Sequence, residues 1–306
     1  MTPEILLSLL AATVQAGTPI LYATLGEILT EKGGVINLGV EGMMLVGALA
    51  AFLTALYTQS PVLAFAVGGL AGAAMAALHG VVCLWFLGSQ IVSGLALTIF
   101  GTGLADFFGT AYNGIQAPGF NKFSLTVLSD LPVLGPIFFR QDALVYVSYV
   151  LPVSLWLFLR YTRWGLAIRT VGESPAAARA AGLRVQFWRW AALLGGGVLI
   201  GMGGAYLSLA YTHLWTNGLT AGRGWIAVSL VIFAFWRPGR AMLGAYLFGG
   251  VMAFQLRLQA MGTVLPSSIL LMLPYTLTII ALSMSSWRGN QSKAPAALGR
   301  PLEPCE

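Results

Sequence analysis

Apolar stretches near 4–24, 41–58, 61–88, 91–109, 143–161, 189–211, 223–236, 239–257 and 265–285 follow one another along the chain, separated by short polar connections. Most reach about 20 residues, enough for a helix to cross a hydrocarbon core of about 30 Å. The strict alternation of a membrane barrel is absent, which leaves helices as the structure that keeps every backbone N–H and C=O bonded in lipid. The pattern predicts an all-α polytopic membrane helical bundle of about nine spans, with about eight to ten allowed by the boundaries. The run 61–88 is long enough to tilt or project, whereas 223–236 is short enough to be a half-crossing.

Charge orients this pattern. Arg160, Arg163, Arg169, Arg179, Arg184 and Arg189 crowd one polar connection whose only acid is Glu173, which places that connection in the cytoplasm. Counting spans from it puts "WRPGR" (236–240) and the tail with Arg288, Lys293 and Arg300 on the same side, and 110–142 and the N-terminus outside. "MTPEILLSLL" has no basic residue ahead of its apolar run, so it reads as a first span rather than a cleaved signal. The expected organisation is one transmembrane domain over 1–288, a cytoplasmic segment at 162–188 within it, and a disordered tail over 289–306, where Pro, Gly and Ser lack an apolar period.

Composition narrows the chemistry. With 58% hydrophobic and 8% charged residues and a mean hydropathy of +0.82, the chain lacks the polar surface to cover a soluble domain. The net charge of +6 reports orientation before any acidic partner, which argues against nucleic-acid binding. Cys83 and Cys305 show no pairing logic and no metal-ligand spacing. His79 and His213 stand alone, and no paired carboxylates or nucleophile elbow can be assembled, so the inventory speaks against an enzyme. His79 is expected to pack or hydrogen-bond within its span, and His213 to sit in the outer aromatic belt in "YTHLWTNG". The spans after residue 60 hold almost no ionisable groups besides Asp106 and Arg257, and with only Lys32, Lys122 and Lys293 there is no phosphate-binding loop. Energy for uphill transport must come from another chain. Glycines within spans, as in "GGGVLIGMGGAY" (195–206), read as surfaces for close helix approach.

Two polar blocks remain. In "RYTRWGLAIRTVGESPAAARAAGLRVQFWR" (160–189), Ser174 is a good N-cap, Pro175 suits the first helical position, "AAARAA" propagates a helix and Gly182 stops it. That predicts a helix of about two turns, some 10 Å long, lying across the cytoplasmic face. In "EKGGVINLGVEGMM" (31–44), Gly33 and Gly34 end a helix and free backbone groups, which at membrane depth must be buried in protein or line a wet cavity. Asn37 then either satisfies those groups or touches a passing solute. On the alternative reading, Asn37 and Glu41 only cap a helix at a cytoplasmic turn, with Glu41 favoured by the dipole of the second span.

Three stretches carry a resemblance: "GEILTEKGGVINLGVEGMMLVGA" (26–48), "TRWGLAIRTVGESPAAARAAGLRV" (162–185) and "GWIAVSLVIFAFWRPGRAMLGAYLFG" (224–249). The sequence resembles the permease subunits of ATP-binding-cassette importers of the branched-chain amino acid and simple-sugar superfamily, most of all its nucleoside or simple-sugar permeases. The resemblance implies a multi-pass subunit of the bacterial inner membrane that pairs with a similar, nonidentical permease. It also implies a cytoplasmic tandem ATPase that binds ATP and Mg, an extracytoplasmic substrate-binding lipoprotein, and no cofactor in this chain. By position Gly165, Arg169, Gly172, Glu173, Ala177 and Gly182, with Ser174 and Pro175 among them, match the segment that contacts the ATPase. Gly33, Gly34, Asn37, Gly39 and Gly42, with Glu41 between them, match a broken membrane segment beside the transport path. The solute implied is a nucleoside, then a simple sugar; a branched-chain amino acid is the rival within the superfamily, and a gated channel needing no ATPase the rival outside it. "EKGG" and the tail after residue 288 depart from the family pattern.

Overall fold

The computed structural model describes residues 3–124, 128–262, 266–287 and 294–300. Helices dominate: α1 (Pro3–Lys32), α2 (Val40–Thr58), α3 (Pro61–Gly80), α4 (Gln90–Gly109), the short α5 (Leu134–Phe138), α6 (Ala143–Tyr161), α7 (Arg163–Glu173), α8 (Pro175–Ala180), α9 (Val185–Tyr206), α10 (Arg223–Phe233), α11 (Pro238–Ala260) and α12 (Ser267–Trp287). Wider π-helical turns extend α3 through Val81–Trp85 and α9 through Leu207–Tyr211. A two-residue ribbon pairs β1 (Phe123–Ser124) with β2 (Arg140–Gln141), antiparallel. Seven described helices are long and apolar enough to cross a membrane, which makes the chain an all-α polytopic bundle. The two other expected spans coincide with α12 and with α10, whose 11 residues are too few to cross alone.

One boundary differs from the expectation by a wide margin. The first helix does not stop at residue 24 but runs through Glu27 and Glu31 to Lys32, because those carboxylates point into the bundle and find donors there. Gly33 and Gly34 then close the helix, their amides bonding to the carbonyls of Thr30 and Glu31, and Gly34 takes the left-handed conformation (φ +82°) that a side chain would disfavour.

The core forms around α1 and α9, which run antiparallel: Gly26 lies against Gly196, and Gly203 against Pro19. Small residues set the spacing here, since lipid gives no hydrophobic drive between helices and close backbone contact must hold them. Equally close seams join α9 to α3, where a Cβ placed on Gly201 would lie 2.3 Å from the carbonyl oxygen of Gly68, and α9 to α2, where one on Gly204 would lie 1.9 Å from that of Met44. At the end of the bundle where α6 begins, Asp142 caps it by accepting from the amides of Leu144 (3.0 Å) and Val145 (3.1 Å), and the Tyr22 hydroxyl donates to the Leu144 carbonyl. Trp215 is fully buried there, packed on Phe52 and against Gly109.

Within the tail expected to be disordered, residues 289–293 and 301–306 lie outside the described residues, with Lys293 and Cys305 among them. Residues 294–300 form turns that dock on the body: the Ala297 amide donates to the Gly172 carbonyl, and Ala297 is buried. That stretch is ordered by backbone hydrogen bonding, which composition does not reveal.

Candidate functional site

Between α1 and α2 the chain turns back into the bundle without helical structure, and side chains from three helices satisfy the freed backbone. Glu27 of α1 accepts from the backbone amide of Asn37 (3.2 Å) and from its Nδ2 (3.3 Å), while Asn37 Oδ1 accepts from the Gly39 amide (2.9 Å). Gln90, the first residue of α4, accepts from the Ile36 amide (2.6 Å). His79 of α3 closes the set, its Nε2 lying 2.9 Å from the Ile36 carbonyl and its Nδ1 3.0 Å from the Ser93 hydroxyl. Because a carbonyl only accepts, Nε2 carries the ring proton in this contact. His79 thus has the hydrogen-bonding role expected of it.

Glu41 works differently from the capping role considered for it. Its carboxylate leaves its own helix and seats at the N-terminus of α10, accepting from the Thr220 hydroxyl (2.5 Å), the Gly222 amide (2.8 Å) and the Gly224 amide (2.6 Å). Three donors at a helix start suit an anion, both by hydrogen bonding and by the dipole. The fit requires glycine at 224, where a Cβ would stand 2.5 Å from Glu41 Cα. Next to it Arg223 is buried, donates to the Thr220 carbonyl (3.0 Å) and lies over the Tyr211 ring. A carboxylate in the broken segment therefore ties α2 to the short helix α10.

The Arg-rich connection folds as two helices. Thr162 caps α7 by accepting from the Gly165 amide (2.9 Å), Ser174 caps α8 by accepting from the Ala177 amide (3.3 Å), Pro175 opens α8, and Gly182 (φ +80°) follows its end. The short α8 is the helix the sequence predicts; α7, which runs unbroken through Gly165 and Gly172, was not anticipated. Gly165 and Gly172 are contact points: a Cβ on the first would meet the Phe158 carbonyl at 2.1 Å, and on the second the Lys32 carbonyl at 2.2 Å. Trp164 and Leu166 are exposed beside the exposed Glu173 and Ala177, while Arg169 is half-buried.

The structure brings the two sequence-predicted groups together at one place. Gly172 packs on the last carbonyl of α1 and on Gly34, so α7 rests directly on the helix break. Gly33, Gly34, Asn37, Gly39, Glu41 and Gly42 are all buried within the chain, their neighbours being protein. Sequence reading missed Glu27, Gln90 and Arg223 as parts of this arrangement. Glu27 carried a usable signal, since Glu27 and Glu31 stand four apart and share a helix face, but ending the first span at residue 24 put both in a loop.

Comparison with known proteins adds the family. The profile described as branched-chain amino acid transport system / permease component matches residues 9–282. A Haloferax volcanii protein provisionally named as a glucose ABC transporter permease protein, TsgC13, is 46% identical over 84% of this chain and 79% of its own length. The nucleoside ABC transporter permease protein NupC of Lactococcus lactis is 34% identical over 90% of this chain and 92% of its own. The guanosine ABC transporter permease protein NupQ of Bacillus subtilis is 33% identical, covering 95% and 96%. No solved structure matches the chain.

Proposed function

Since the chain belongs to the permease-component family of branched-chain amino acid transport systems, a multi-pass permease subunit of the bacterial plasma membrane rather than an enzyme, we propose that it is the translocation subunit of an ATP-driven importer for nucleosides. A cytoplasmic tandem ATPase supplies the energy, with ATP and Mg bound on that partner. A second, related permease completes the path, and an extracytoplasmic lipoprotein delivers the solute.

The observation that carries this reading is the contact of Gly172 with the Lys32 carbonyl and Gly34. An ATPase gripping α7 and α8 through the exposed Trp164, Glu173 and Ala177 would shift the end of α1 and the unwound 33–39 without any intervening element. The break is joined onward through Glu41 to α10 and through His79 and Gln90 to α3 and α4. A displacement there re-aims several spans at once, as alternating access between two states requires. In this reading the broken segment is a hinge beside the path rather than the surface that touches solute.

Nucleosides are favoured by the names of NupC and NupQ. A second reading, a hexose, has its own support in the 46% identity to TsgC13. Both solutes present a polyhydroxylated ring. The test is uptake of radiolabelled uridine, adenosine and glucose in cells holding ATPase, partner permease and lipoprotein, with wild-type chain, without it, and with Gly172→Ala. Nucleoside accumulation against a gradient that depends on this chain and is lost in the assembled variant supports the proposal. Glucose uptake alone transfers the assignment to sugars, and downhill flux through this chain without the ATPase overturns ATP coupling.

A further inference from the structure

At the cytoplasmic end of the bundle, Lys32 closing α1, Arg160 near the end of α6, Arg169 in α7 and Arg237 just before α11 line one cavity of about 220 Å³. Two acids stand beside the cluster and attract Lys32: Glu31, which accepts from the indole of Trp236 in the same lining, and Glu173, which accepts from the Ala296 amide. Among the described residues none of the four cations forms a salt bridge, and Arg169 Nε is shielded from solvent without a hydrogen-bond partner. Four cations outnumber the two carboxylates beside them, and a shielded guanidinium N–H without an acceptor is costly, so the arrangement favours a further anion.

The rest of the lining says which anion. Trp156 and Leu159 of α6 form its apolar wall, and α6 continues away from the cluster with Val153, Trp156 and Leu157 exposed. The cations therefore stand at the head of an apolar track on an outward face of a spanning helix, at the level where tryptophan marks the membrane interface. A phosphate would take charge-assisted hydrogen bonds from the guanidinium groups, and an acyl chain would follow Trp156 along the track. A carboxylate from a soluble partner would meet the cations and leave the apolar wall unmatched.

We propose that this cavity binds the phosphate headgroup of an anionic phospholipid of the cytoplasmic leaflet. The site stands on α1, α6, α7 and the start of α11, whatever solute the protein moves. Its test uses the full chain purified in neutral detergent, alone and in the assembled complex, with native mass spectrometry reading retained lipid after titration with phosphatidylglycerol, phosphatidylcholine or inorganic phosphate. Wild type should retain one phosphatidylglycerol in preference to phosphatidylcholine, and removing cations in Arg160→Gln/Arg237→Gln should weaken retention about fivefold per charge. Arg163→Gln, an exposed cation outside the cavity lining, should change nothing, and an unaltered elution profile shows that each variant is folded. Equal retention of the two lipids, no loss in the double variant, or an equal loss in Arg163→Gln overturns the proposal. Inorganic phosphate binding as well as the lipid assigns the pocket to a free anion, and release of the lipid on assembly with the ATPase assigns it to that partner; either result rejects a lipid site.

Discussion

Asn37→Ala separates a hinge held by protein from a side chain that handles solute. The substitution deletes the Nδ2 donor that reaches Glu27 and the Oδ1 acceptor that holds the Gly39 amide. Asn37 and Glu27 are both 0% exposed, so water does not replace the lost partners. Each buried group left unsatisfied costs about 1 to 3 kcal/mol, and two of them give about 2 to 6 kcal/mol. On the scale of large single domains, where 1 kcal/mol moves the midpoint by about 2 to 4 °C, the fall is at least about 4 °C. Asn37→Asp should fall further, because it sets a second carboxylate about where Nδ2 now meets Glu27, with no cation bonded to either. The assay is tryptophan-monitored thermal unfolding of the full chain in detergent, beside pull-down of the assembled complex and uptake. A variant that unfolds early and assembles poorly fits the hinge reading. An Asn37→Ala protein with unchanged midpoint and full assembly that nevertheless fails in uptake would refute it and return Asn37 to the transport path.

Two further outcomes follow from contacts elsewhere. Gly201→Leu should abolish recovery of folded protein, since even its Cβ would stand 2.3 Å from the Gly68 carbonyl and both partners are helix backbone; yield of monodisperse protein on size exclusion checks this. Asp142→Asn concerns pH: burial pushes the Asp142 carboxyl above the usual carboxylate range, despite the amides of Leu144 and Val145 and the Tyr206 hydroxyl that favour its charge. A raised folded-state value means the fold binds the proton more tightly than the unfolded chain does. Its contribution is fully present below the unfolded value and lost as pH rises through the folded one. Asn keeps the cap and cannot titrate, so thermal midpoints measured across the acid range should slope less in the variant than in wild type.

The short helix α8 was legible in the sequence because everything that makes it is local: Ser174, Pro175, the alanines and Gly182 lie within nine positions. The spans were legible for the same reason, apolar length being a property of contiguous residues. Gly33 and Gly34 likewise announced the break. What the break does was hidden, because its partners come from far along the chain: Glu41 meets Gly224, Ile36 meets His79 and Gln90. Glu27 was misplaced because a carboxylate counts as a loop signal until a buried donor for it is known, and that donor, Asn37, arrives only when the chain re-enters the bundle. α7 was not foreseen, and its two glycines serve contacts that no local pattern shows, letting the Phe158 and Lys32 backbone approach.

The docked stretch 294–300 gives this architecture an order in time. Gly34 is made before α2, and its neighbour Ala297 follows every described helix. Until that residue arrives, the Gly172 carbonyl lacks its donor and the Gln90 amide lacks the Arg300 carbonyl. The joint between α7 and the first break is therefore finished only after every described helix has been made. A nascent subunit cannot present a completed joint before its described helices have been made, so α7 settles on the break only when the bundle beneath it exists.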